Sequence, residues 1–277
     1  MKRLFRSDEL QLQFEQNGFV KINLLNKVQV NELLGNYKTV AAEHERLGLP
    51  YITTSHSNNH DLIGRVDEML QRVMAPELDK VLCGHKLLFG NFLVKMTGDN
   101  SETEPHQDIT FVDEEKFCSV NVWVALQETT VENGCMYFLR GSQNYMRTIR
   151  PTHNYTWAYE NVKKEIKELA DVFPAKEGDA FIFNHAVVHG SFPNKTNKPR
   201  IAAVIAAYHA DAPLIHYYLP DPNKNVLKKY SMNKEAYLHF VKQQPPAKGI
   251  FIGEEVFGFN PLSAEDFKQL TQKKLGA

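Results

Sequence analysis

The residues best suited to chemistry lie in the stretch Glu104-Pro105-His106-Gln107-Asp108. His106 and Asp108 are two residues apart, and side chains at that spacing on an extended segment point to the same face. His189, which arrives from a distant strand, completes a set of two histidines and one carboxylate. This ligand set suits ferrous iron and leaves three coordination positions open. The sequence therefore predicts a catalytic metal site formed by His106, Asp108 and His189.

The local context of the two histidines supports this prediction. Pro105 fixes the backbone before His106, and a series of strands follows. His189-Gly190-Ser191 comes after the apolar run 180–183, so it also lies at a strand end. An H-x-D tripeptide alone is weak evidence, because such tripeptides arise by chance and an ordinary turn explains them as well. The positions at strand ends are what favour the metal site.

Arg200 opens the next apolar strand, where an arginine is usually expected to reach solvent. Next to a metal site, its planar guanidinium suits a bidentate grip on a carboxylate instead. Ser191 can donate its hydroxyl to the same carboxylate. Small or slender side chains on the face of Arg200 leave room for a diacid; they are Ala202, Val204, Ala206 and Tyr208.

The pattern predicts elements that can position these residues. Ser7 begins a helix that ends at Asn17-Gly18, a second helix runs from Asn26 to about Leu47, and Asp61 caps a third through about Leu82. Residues 51–60 are predicted as a loop, 154–169 as a helix or excursion, and a last helix follows Ser263. Strands are predicted at 19–24, 86–96, 117–126, 135–139, 180–184 and 200–208.

These elements favour a mainly β fold with flanking helices and a double-stranded β-helix core of the jelly-roll, cupin-like type. We expect a single domain over residues 1–277. It consists of a helical N-terminal part over about 1–84, a jelly-roll core over about 85–210 and a C-terminal extension over about 211–277.

Composition limits the partners. The chain has 277 residues and a formal net charge of −1, so no global basic field calls for nucleic acid or an anionic membrane. No signal-peptide core and no long apolar run is found, which predicts a cytoplasmic protein. Cys83, Cys118 and Cys135 are odd in number and lack a CxxC spacing, so they are expected to be small buried hydrophobes.

Taken together, the motifs resemble the phytanoyl-CoA dioxygenase family of iron(II)- and 2-oxoglutarate-dependent oxygenases. The similar segments are Phe14-Glu15-Gln16-Asn17-Gly18-Phe19-Val20, His106-Gln107-Asp108, Val122-Trp123-Val124-Ala125-Leu126, Glu132-Asn133-Gly134, and His189 to Asn194 with Arg200. They cover about two-thirds of the chain, and their order is specific.

The resemblance implies roles for named residues. His106, Asp108 and His189 would hold Fe(II), while Arg200 and Ser191 would hold the distal carboxylate of 2-oxoglutarate, with O2 as the oxidant. Trp123 matches a family tryptophan near the cosubstrate. Its strand places Ser119, Asn121, Trp123 and Ala125 on one face, a mixture that suits a cavity wall, although Trp123 in the core and Asn121 in solvent is an equally good interpretation.

Two positions depart from related sequences. Relatives often show Pro-Gly-Ser-His where this chain has Arg140-Gly141-Ser142-Gln143, so no role of that histidine is transferred. Related halogenases replace the metal carboxylate by Gly or Ala, whereas Asp108 fills that position here. The resemblance therefore favours hydroxylation of a C–H bond with release of succinate and CO2.

The substrate is the least defined part of the prediction. We expect a small polar metabolite or a natural-product intermediate, because no cluster of basic residues for coenzyme A phosphates accompanies the motifs. The candidate polar contacts are Asn91, Lys95, Asn121, His56 and His60. Desaturation, cyclisation or epoxidation with the same cofactors stays open. So does a metal-binding jelly-roll protein without turnover, although such a protein has no need of the pair Arg200 and Ser191.

Overall fold

The computed structural model describes residues 2–152, 157–241, 244–258 and 261–275. The helices are α1 (Asp8–Asn17), α2 (Lys27–Glu45), α3 (His60–Val81), α4 (Ser142–Tyr145), α5 (Lys163–Leu169), α6 (Lys234–Leu238) and α7 (Ala264–Leu275). The strands are β1 (Phe19–Asn23), β2 (Tyr51–Thr53), β3 (His85–Lys95), β4 (Thr103–His106), β5 (Ser119–Ala125), β6 (Met136–Phe138), β7 (Asp171–Phe173), β8 (Asp179–Asn184), β9 (His189–Ser191), β10 (Arg200–His209), β11 (Leu214–Tyr218), β12 (Val226–Met232) and β13 (Ile250–Val256).

Two antiparallel sheets form the centre of the fold. The large sheet has the order β1-β8-β5-β10-β3-β2, and the small sheet has the order β4-β9-β6-β7. They pack face to face, and Phe138 of the small sheet lies 5.5 Å from Phe181 and 5.4 Å from Phe183 of the large sheet, measured between ring centroids. The predicted double-stranded β-helix with flanking helices is confirmed.

The other face of the large sheet is covered by the first three helices. Val120, Val122 and Val124 of β5 point to this side and join a buried cluster with Val66 and Leu70 of α3. Trp123 and Ala125, their neighbours in sequence, face the small sheet. The alternation of β5 thus separates a helix-packed core from the face that carries the site.

The helix ends follow from local hydrogen bonding. The predicted start of α1 is confirmed, since Ser7 Oγ accepts a hydrogen bond from the Leu10 N–H, and Gly18 ends it with a positive φ of 84°. The prediction that Asp61 caps α3 was wrong. Asn59 is the cap, because its extended backbone lets its side-chain oxygen accept from the N–H groups of Asp61 and Leu62.

Other differences lie in polar or proline-rich segments. The predicted loop 51–60 contains β2, which pairs with β3 at the edge of the large sheet, and a short 3₁₀ helix at Thr54–His56, and it ends where α3 begins. The predicted segment 154–169 contains a short 3₁₀ helix at Glu160–Val162 and α5, while residues 154–156 lie outside the described residues. The C-terminal extension forms a three-stranded sheet with the order β11-β12-β13. These strands were not predicted, because the prolines of this segment made it look irregular.

The C-terminal extension is bonded to the core. The Ile215 N–H donates to the Phe111 carbonyl at 2.8 Å, and the Thr152 N–H donates to the Tyr217 carbonyl at 3.1 Å. The N-terminal part is equally joined, since β1 and β2 belong to the large sheet. The single-domain boundaries stay a prediction. Within the described part of the chain, no helix combines the length and apolarity needed to cross a membrane.

Candidate metal and cosubstrate site

The three predicted metal ligands meet between the sheets. His106 ends β4 and His189 begins β9, and strand pairing places the two residues directly opposite each other. Their ring centroids are 4.3 Å apart. Asp108 follows β4, and one possible ligand atom from each of the three residues lies within 4.8 Å of the others. Two imidazoles and one carboxylate at this spacing fit a single divalent ion.

Backbone hydrogen bonds orient both imidazoles. His106 Nδ1 lies 2.8 Å from the Glu104 carbonyl, and His189 Nδ1 lies 3.0 Å from the Val187 carbonyl. A carbonyl only accepts, so Nδ1 carries the proton in each ring and Nε2 has a free lone pair. Each Nε2 lies 3.8 Å from an oxygen of Asp108. The lone pairs and the carboxylate thus converge on one point.

The protonation states also suit a cation. Burial, followed by repulsion from His106, lowers the pKa of His189 to about 4. Burial on its own would raise the pKa of Asp108, but His189, His185 and His106, together with Arg150, outweigh it and hold that pKa below its ordinary value. At neutral pH His189 is therefore neutral and Asp108 ionised, as metal ligands must be.

Three groups fix the position of Asp108. The side-chain amide of Asn121 donates to Asp108 Oδ2 at 2.9 Å, and the Asp108 N–H donates to the His185 carbonyl at 2.9 Å. The Asp108 carbonyl accepts from Arg150 Nε at 2.5 Å. Asn121 was predicted as a substrate contact; its amide nitrogen binds this carboxylate, and a contact with the substrate stays a prediction.

Gln107 is a functional residue that the sequence analysis missed. It is buried between the two ligands, and its amide nitrogen donates to the Met146 and Ala186 carbonyls at 2.8 and 2.6 Å. Its oxygen accepts from the Trp157 indole at 3.1 Å. Gln107 therefore locks the H-x-D turn against the segment before His189, a role that only the tertiary contacts reveal.

Arg200 lies buried at one end of the same cavity, where a carboxylate can be bound. Its Nη2 donates to the Gly134 carbonyl at 3.2 Å, while Nε and Nη1 are buried without a protein partner. Its guanidinium carbon lies 5.4 Å from the centroid of the Trp123 ring. Buried polar groups are normally paired, so a buried guanidinium with two unpaired donors fits a site that binds a carboxylate.

Arg200 belongs to a row of three residues across the large sheet. Lys95 of β3 pairs with Arg200 on one side and with Tyr51 of β2 on the other. Burial and repulsion from Arg200 lower the pKa of Lys95 to about 6, so Arg200 is the principal cation at this end. Tyr51 also lines the cavity, and loss of water raises its pKa to about 12. Tyr51 is not among the predicted site residues.

One cavity of about 670 Å³ joins the metal ligands to Arg200. This volume lies within the roughly 300–1,000 Å³ usual for ligand sites. Of the predicted site residues, the cavity is lined by His106, Asp108, His189, Arg200, Ser191, Trp123, Asn91, Asn121 and His56.

Two predicted substrate contacts lie elsewhere. Lys95 is fully buried, and its side-chain nitrogen donates to the Ser101 carbonyl, to Thr103 Oγ1 at 3.2 Å and to the Ser191 carbonyl at 3.4 Å. His60 is exposed at the start of α3, where its ring lies 4.9 Å from that of His239. Neither residue lines the cavity, because the Lys95 side chain is hydrogen-bonded to backbone carbonyls and His60 lies on the protein surface.

Comparison with known proteins agrees with this fold. The sequence of residues 14–202 matches the family Phytanoyl-CoA dioxygenase (PhyH). The chain is 33% identical over 121 residues to phytanoyl-CoA dioxygenase domain-containing protein 1 of Danio rerio, which covers 41% of this chain and 42% of that protein. The match thus spans less than half of that relative's length.

Solved structures of the same fold include enzymes of nogalamycin biosynthesis. The epimerase SnoN, in complex with Fe3+, alpha ketoglutarate and nogalamycin RO, is 18% identical with a TM-score of 0.58, over 94% of this chain and 96% of SnoN. The alpha ketoglutarate dependent carbocyclase SnoK is also 18% identical, with a TM-score of 0.55, over 75% of this chain and 86% of SnoK. At these identities the likeness is one of fold.

The fold and the site together define a double-stranded β-helix protein with two histidines and one carboxylate at one end of its sheets. Because the family match covers most of the sequence, from Phe14 to Ala202, the chain belongs to the phytanoyl-CoA dioxygenase (PhyH) family.

Proposed function

We propose that this chain is an Fe(II)- and 2-oxoglutarate-dependent dioxygenase that hydroxylates a C–H bond of a small molecule. One O2 and one 2-oxoglutarate are consumed; one oxygen atom enters the substrate, the other enters succinate, and CO2 leaves. The observation that carries the proposal is that His106, Asp108 and His189 share one cavity with a buried Arg200 that has unpaired donors. Family membership supports it.

The residues of the site have separate tasks in this proposal. His106, Asp108 and His189 hold the iron, and with 2-oxoglutarate bound the iron supplies the activation of O2. Arg200 holds the distal carboxylate of 2-oxoglutarate, and Ser191 faces the same cavity two residues after His189. Buried apolar side chains around Trp123 exclude water from this end, which strengthens the contact between the guanidinium and a carboxylate.

Other outcomes use the same residues. Desaturation, cyclisation and epoxidation need the same iron and cosubstrate, and the solved relatives of this fold include a carbocyclase and an epimerase. A metal-binding protein without turnover is the alternative of another class. The unpaired donors of Arg200 argue against it, because a purely structural metal site does not need a buried carboxylate-binding group.

The test is an anaerobic titration of the protein with Fe(II) and then with 2-oxoglutarate. We expect the weak visible charge-transfer band of a chelated 2-oxo acid, and we expect Asp108→Ala and His189→Ala to lose it. His60→Ala is the matched control, because this histidine lies outside the cavity and its variant should keep the band. Arg200→Ala should keep iron but require at least roughly tenfold more 2-oxoglutarate, since a charged hydrogen bond contributes about 1.5–3 kcal/mol. Iron binding without any band would exclude the proposed cosubstrate.

A further inference from the structure

The cavity has two chemically different ends. Arg200 begins β10, and Ala206 lies six residues further along this strand. Ala206 pairs with Asn121, which donates a hydrogen bond to Asp108, so Ala206 lies near the metal ligands. Beyond Ala206 the walls are aromatic and aliphatic. We call this part the outer wall; it consists of Phe89, Ile109, Phe111, Tyr237, Leu238 and Phe240. The outer wall lies on the far side of the metal ligands from Arg200, where the substrate of the proposed reaction must bind.

The aromatic rings of the outer wall support one another. The centroid of Phe111 lies 5.2 Å from that of Tyr237, and Phe89 lies 6.0 Å from each of them. Tyr237 is held in place because its hydroxyl donates to the Ile215 carbonyl at 2.6 Å. Its polar atom is thus engaged away from the cavity, and its ring faces inward with the others. Rings arranged in this way offer flat apolar surfaces.

Several polar atoms near the outer wall are already paired within the protein. Asn91 Oδ1 accepts from the Ser55 N–H at 3.0 Å, and Thr152 Oγ1 lies 3.2 Å from His216 Nε2. The Asn121 amide is held by Asp108. A substrate rich in polar groups would have to compete for these bonds or leave its own groups unpaired in the cavity.

The two basic side chains that line the cavity, Lys163 and Arg200, also have partners. The ammonium group of Lys163 binds Glu104 at 2.8 Å and Glu160 at 2.6 Å. Arg200 serves 2-oxoglutarate in the proposed function. The described residues that line the cavity include no lysine or arginine besides these two. Phosphates or a carboxylate on the substrate would therefore lack a partner there.

From these contacts we propose that the substrate is an uncharged, largely apolar small molecule with a ring system, bound against the outer wall. This inference rests on the proposed function and names the substrate class of the same site. It departs from the expectation of a small polar metabolite, which named Asn91, Lys95, Asn121, His56 and His60 as polar contacts. Lys95 and His60 do not line the cavity, and Asn91 Oδ1 and the Asn121 amide nitrogen are engaged within the protein. The rings of the outer wall therefore form the larger part of the surface open to a substrate.

The test uses the intact protein with Fe(II) and 2-oxoglutarate under argon, so that no turnover occurs. The probe is N-phenyl-1-naphthylamine, an uncharged aromatic fluorophore. Both tryptophans of the chain, Trp123 and Trp157, line the cavity. Excitation of tryptophan should therefore give saturable energy transfer to the bound probe. We expect no displacement by coenzyme A or by L-proline, and displacement by either would overturn the proposal.

Variants locate the probe at the outer wall. Leu238→Asp should weaken probe binding at least tenfold, because it places a carboxylate on the apolar wall. Leu238→Trp should weaken probe binding by filling the space. Binding to this variant is measured by direct excitation of the probe, and the variant tests the proposal even if Leu238→Asp does not fold. Ile252→Asp is the control, since Ile252 is 51% exposed on β13 of the same extension and does not line the cavity. Equal affinity in all three proteins would contradict the proposal.

The charge-transfer band in the same samples separates the two proposals. A band without saturable probe binding overturns the substrate class and leaves the dioxygenase proposal intact. Absence of the band overturns the dioxygenase proposal, on which the substrate class rests. A band with probe binding that depends on Leu238 supports both.

Discussion

At the scale of single residues, Arg150 shows how much the site depends on groups that never touch a ligand. Its guanidinium is fully buried and forms a two-point contact with the Glu114 carboxylate. It also donates to the Thr148 carbonyl at 2.6 Å and to the Asp108 carbonyl at 2.5 Å. The Arg150 side chain therefore connects the backbone at Asp108, whose carboxylate is a predicted metal ligand, to Glu114 and to the backbone at Thr148.

Replacing Arg150 should damage both stability and the metal site. We expect Arg150→Met to lower the free energy of unfolding by about 3–5 kcal/mol, because it leaves Glu114 without its partner in a mostly buried position. Urea denaturation of the apo protein measures this loss, and Fe(II) affinity should fall with it. Arg140→Met is the control: the Arg140–Asp171 pair is about half exposed and should contribute about 0–1 kcal/mol. Equal losses in the two variants would refute the special role of Arg150.

His216 gives the apo protein a pH-dependent stability. It is buried, and burial lowers its pKa from 6.5 to about 4. The unfolded chain therefore takes up a proton near pH 6.5 that the folded chain accepts only near pH 4. The free energy of unfolding should fall as the pH decreases between these values, with a slope of up to about 1.4 kcal/mol per pH unit from this residue.

His216→Phe keeps the ring and removes the titration. The slope of the unfolding free energy against pH should become shallower between pH 6.5 and 4, and denaturation curves at several pH values measure it. His239→Phe serves as a control, because His239 is only partly buried at the end of α6. An unchanged slope in His216→Phe would show that the proton uptake occurs elsewhere.

The sequence identifies the residues whose chemistry is tied to spacing, and misses those whose role depends on tertiary contacts. His106, Asp108 and His189 are recognisable because a short motif and a strand end locate them. Lys95, Gln107 and Arg150 are not, because nothing near them in sequence indicates which carbonyls they will meet. The same ambiguity made Lys95 look accessible when it is buried.

At the scale of elements, α6 is the short helix that brings the C-terminal extension to the cavity. It carries Tyr237 and Leu238 of the outer wall and is fixed at its other side by Lys234. The Lys234 ammonium lies 2.8 Å from Asp67 Oδ2 of α3. Asp67 is buried, and its other oxygen accepts from the Gly90 N–H at 2.8 Å. One carboxylate thus connects α6, α3 and β3.

Loss of this connection should loosen α6. We expect Lys234→Met to lower the free energy of unfolding by about 1–3 kcal/mol, because Asp67 keeps a buried charge with one partner fewer. Hydrogen exchange of the α6 amides should increase more than the global change explains. Lys248→Met removes an ion pair with Glu235 on the same helix, but that pair is exposed and should contribute little. The prediction fails if Lys248→Met has the larger effect.

Elements were predictable where hydrophobic alternation is clear. β5, β8 and β10 are rich in Val, Ile and Phe, and their predicted positions are close to those observed. β2 and the strands β11–β13 were missed because short strands with polar residues or nearby prolines lack that alternation. Their formation is decided by pairing with a neighbour, as β2 does with β3.

At the scale of the whole molecule, the proposed iron and cosubstrate bridge both sheets. The two histidines come from the small sheet, and Arg200 comes from the large sheet. Ligands held in this way should stabilise the complete fold. Fe(II) and 2-oxoglutarate at a hundredfold excess over their Kd should each add about 2.7 kcal/mol to the free energy of unfolding.

Thermal unfolding under argon measures this gain, and Asp108→Ala should lose most of it. Hydrogen exchange adds a test of the single-domain prediction for residues 1–277. The amides of β12 should gain protection together with those of β5 and β10, because the extension is hydrogen-bonded to the core through Ile215 and Tyr217. Protection confined to the sheets of the jelly roll would instead show that the extension unfolds independently.

The overall architecture was predictable in kind but not in detail. Several short strands after a helical segment indicate a jelly roll, and that inference is confirmed. The order of the strands, with β1 beside β8 and β2 beside β3, depends on pairings between distant parts of the chain. Local patterns do not contain that information, so the contribution of the N-terminal part to the large sheet could not be foreseen.

The alternation of β10 has a consequence for how this protein can change during evolution. One face of the strand carries Arg200 and Val204 toward the cavity, and the other buries Ala203 and Ile205 against the helices. Inserting or deleting one residue within the strand would exchange the two faces and turn every side chain beyond that point to the wrong side. Relatives that keep the activity should therefore differ here in residue type but not in length, and changes of length should accumulate in the loops between strands.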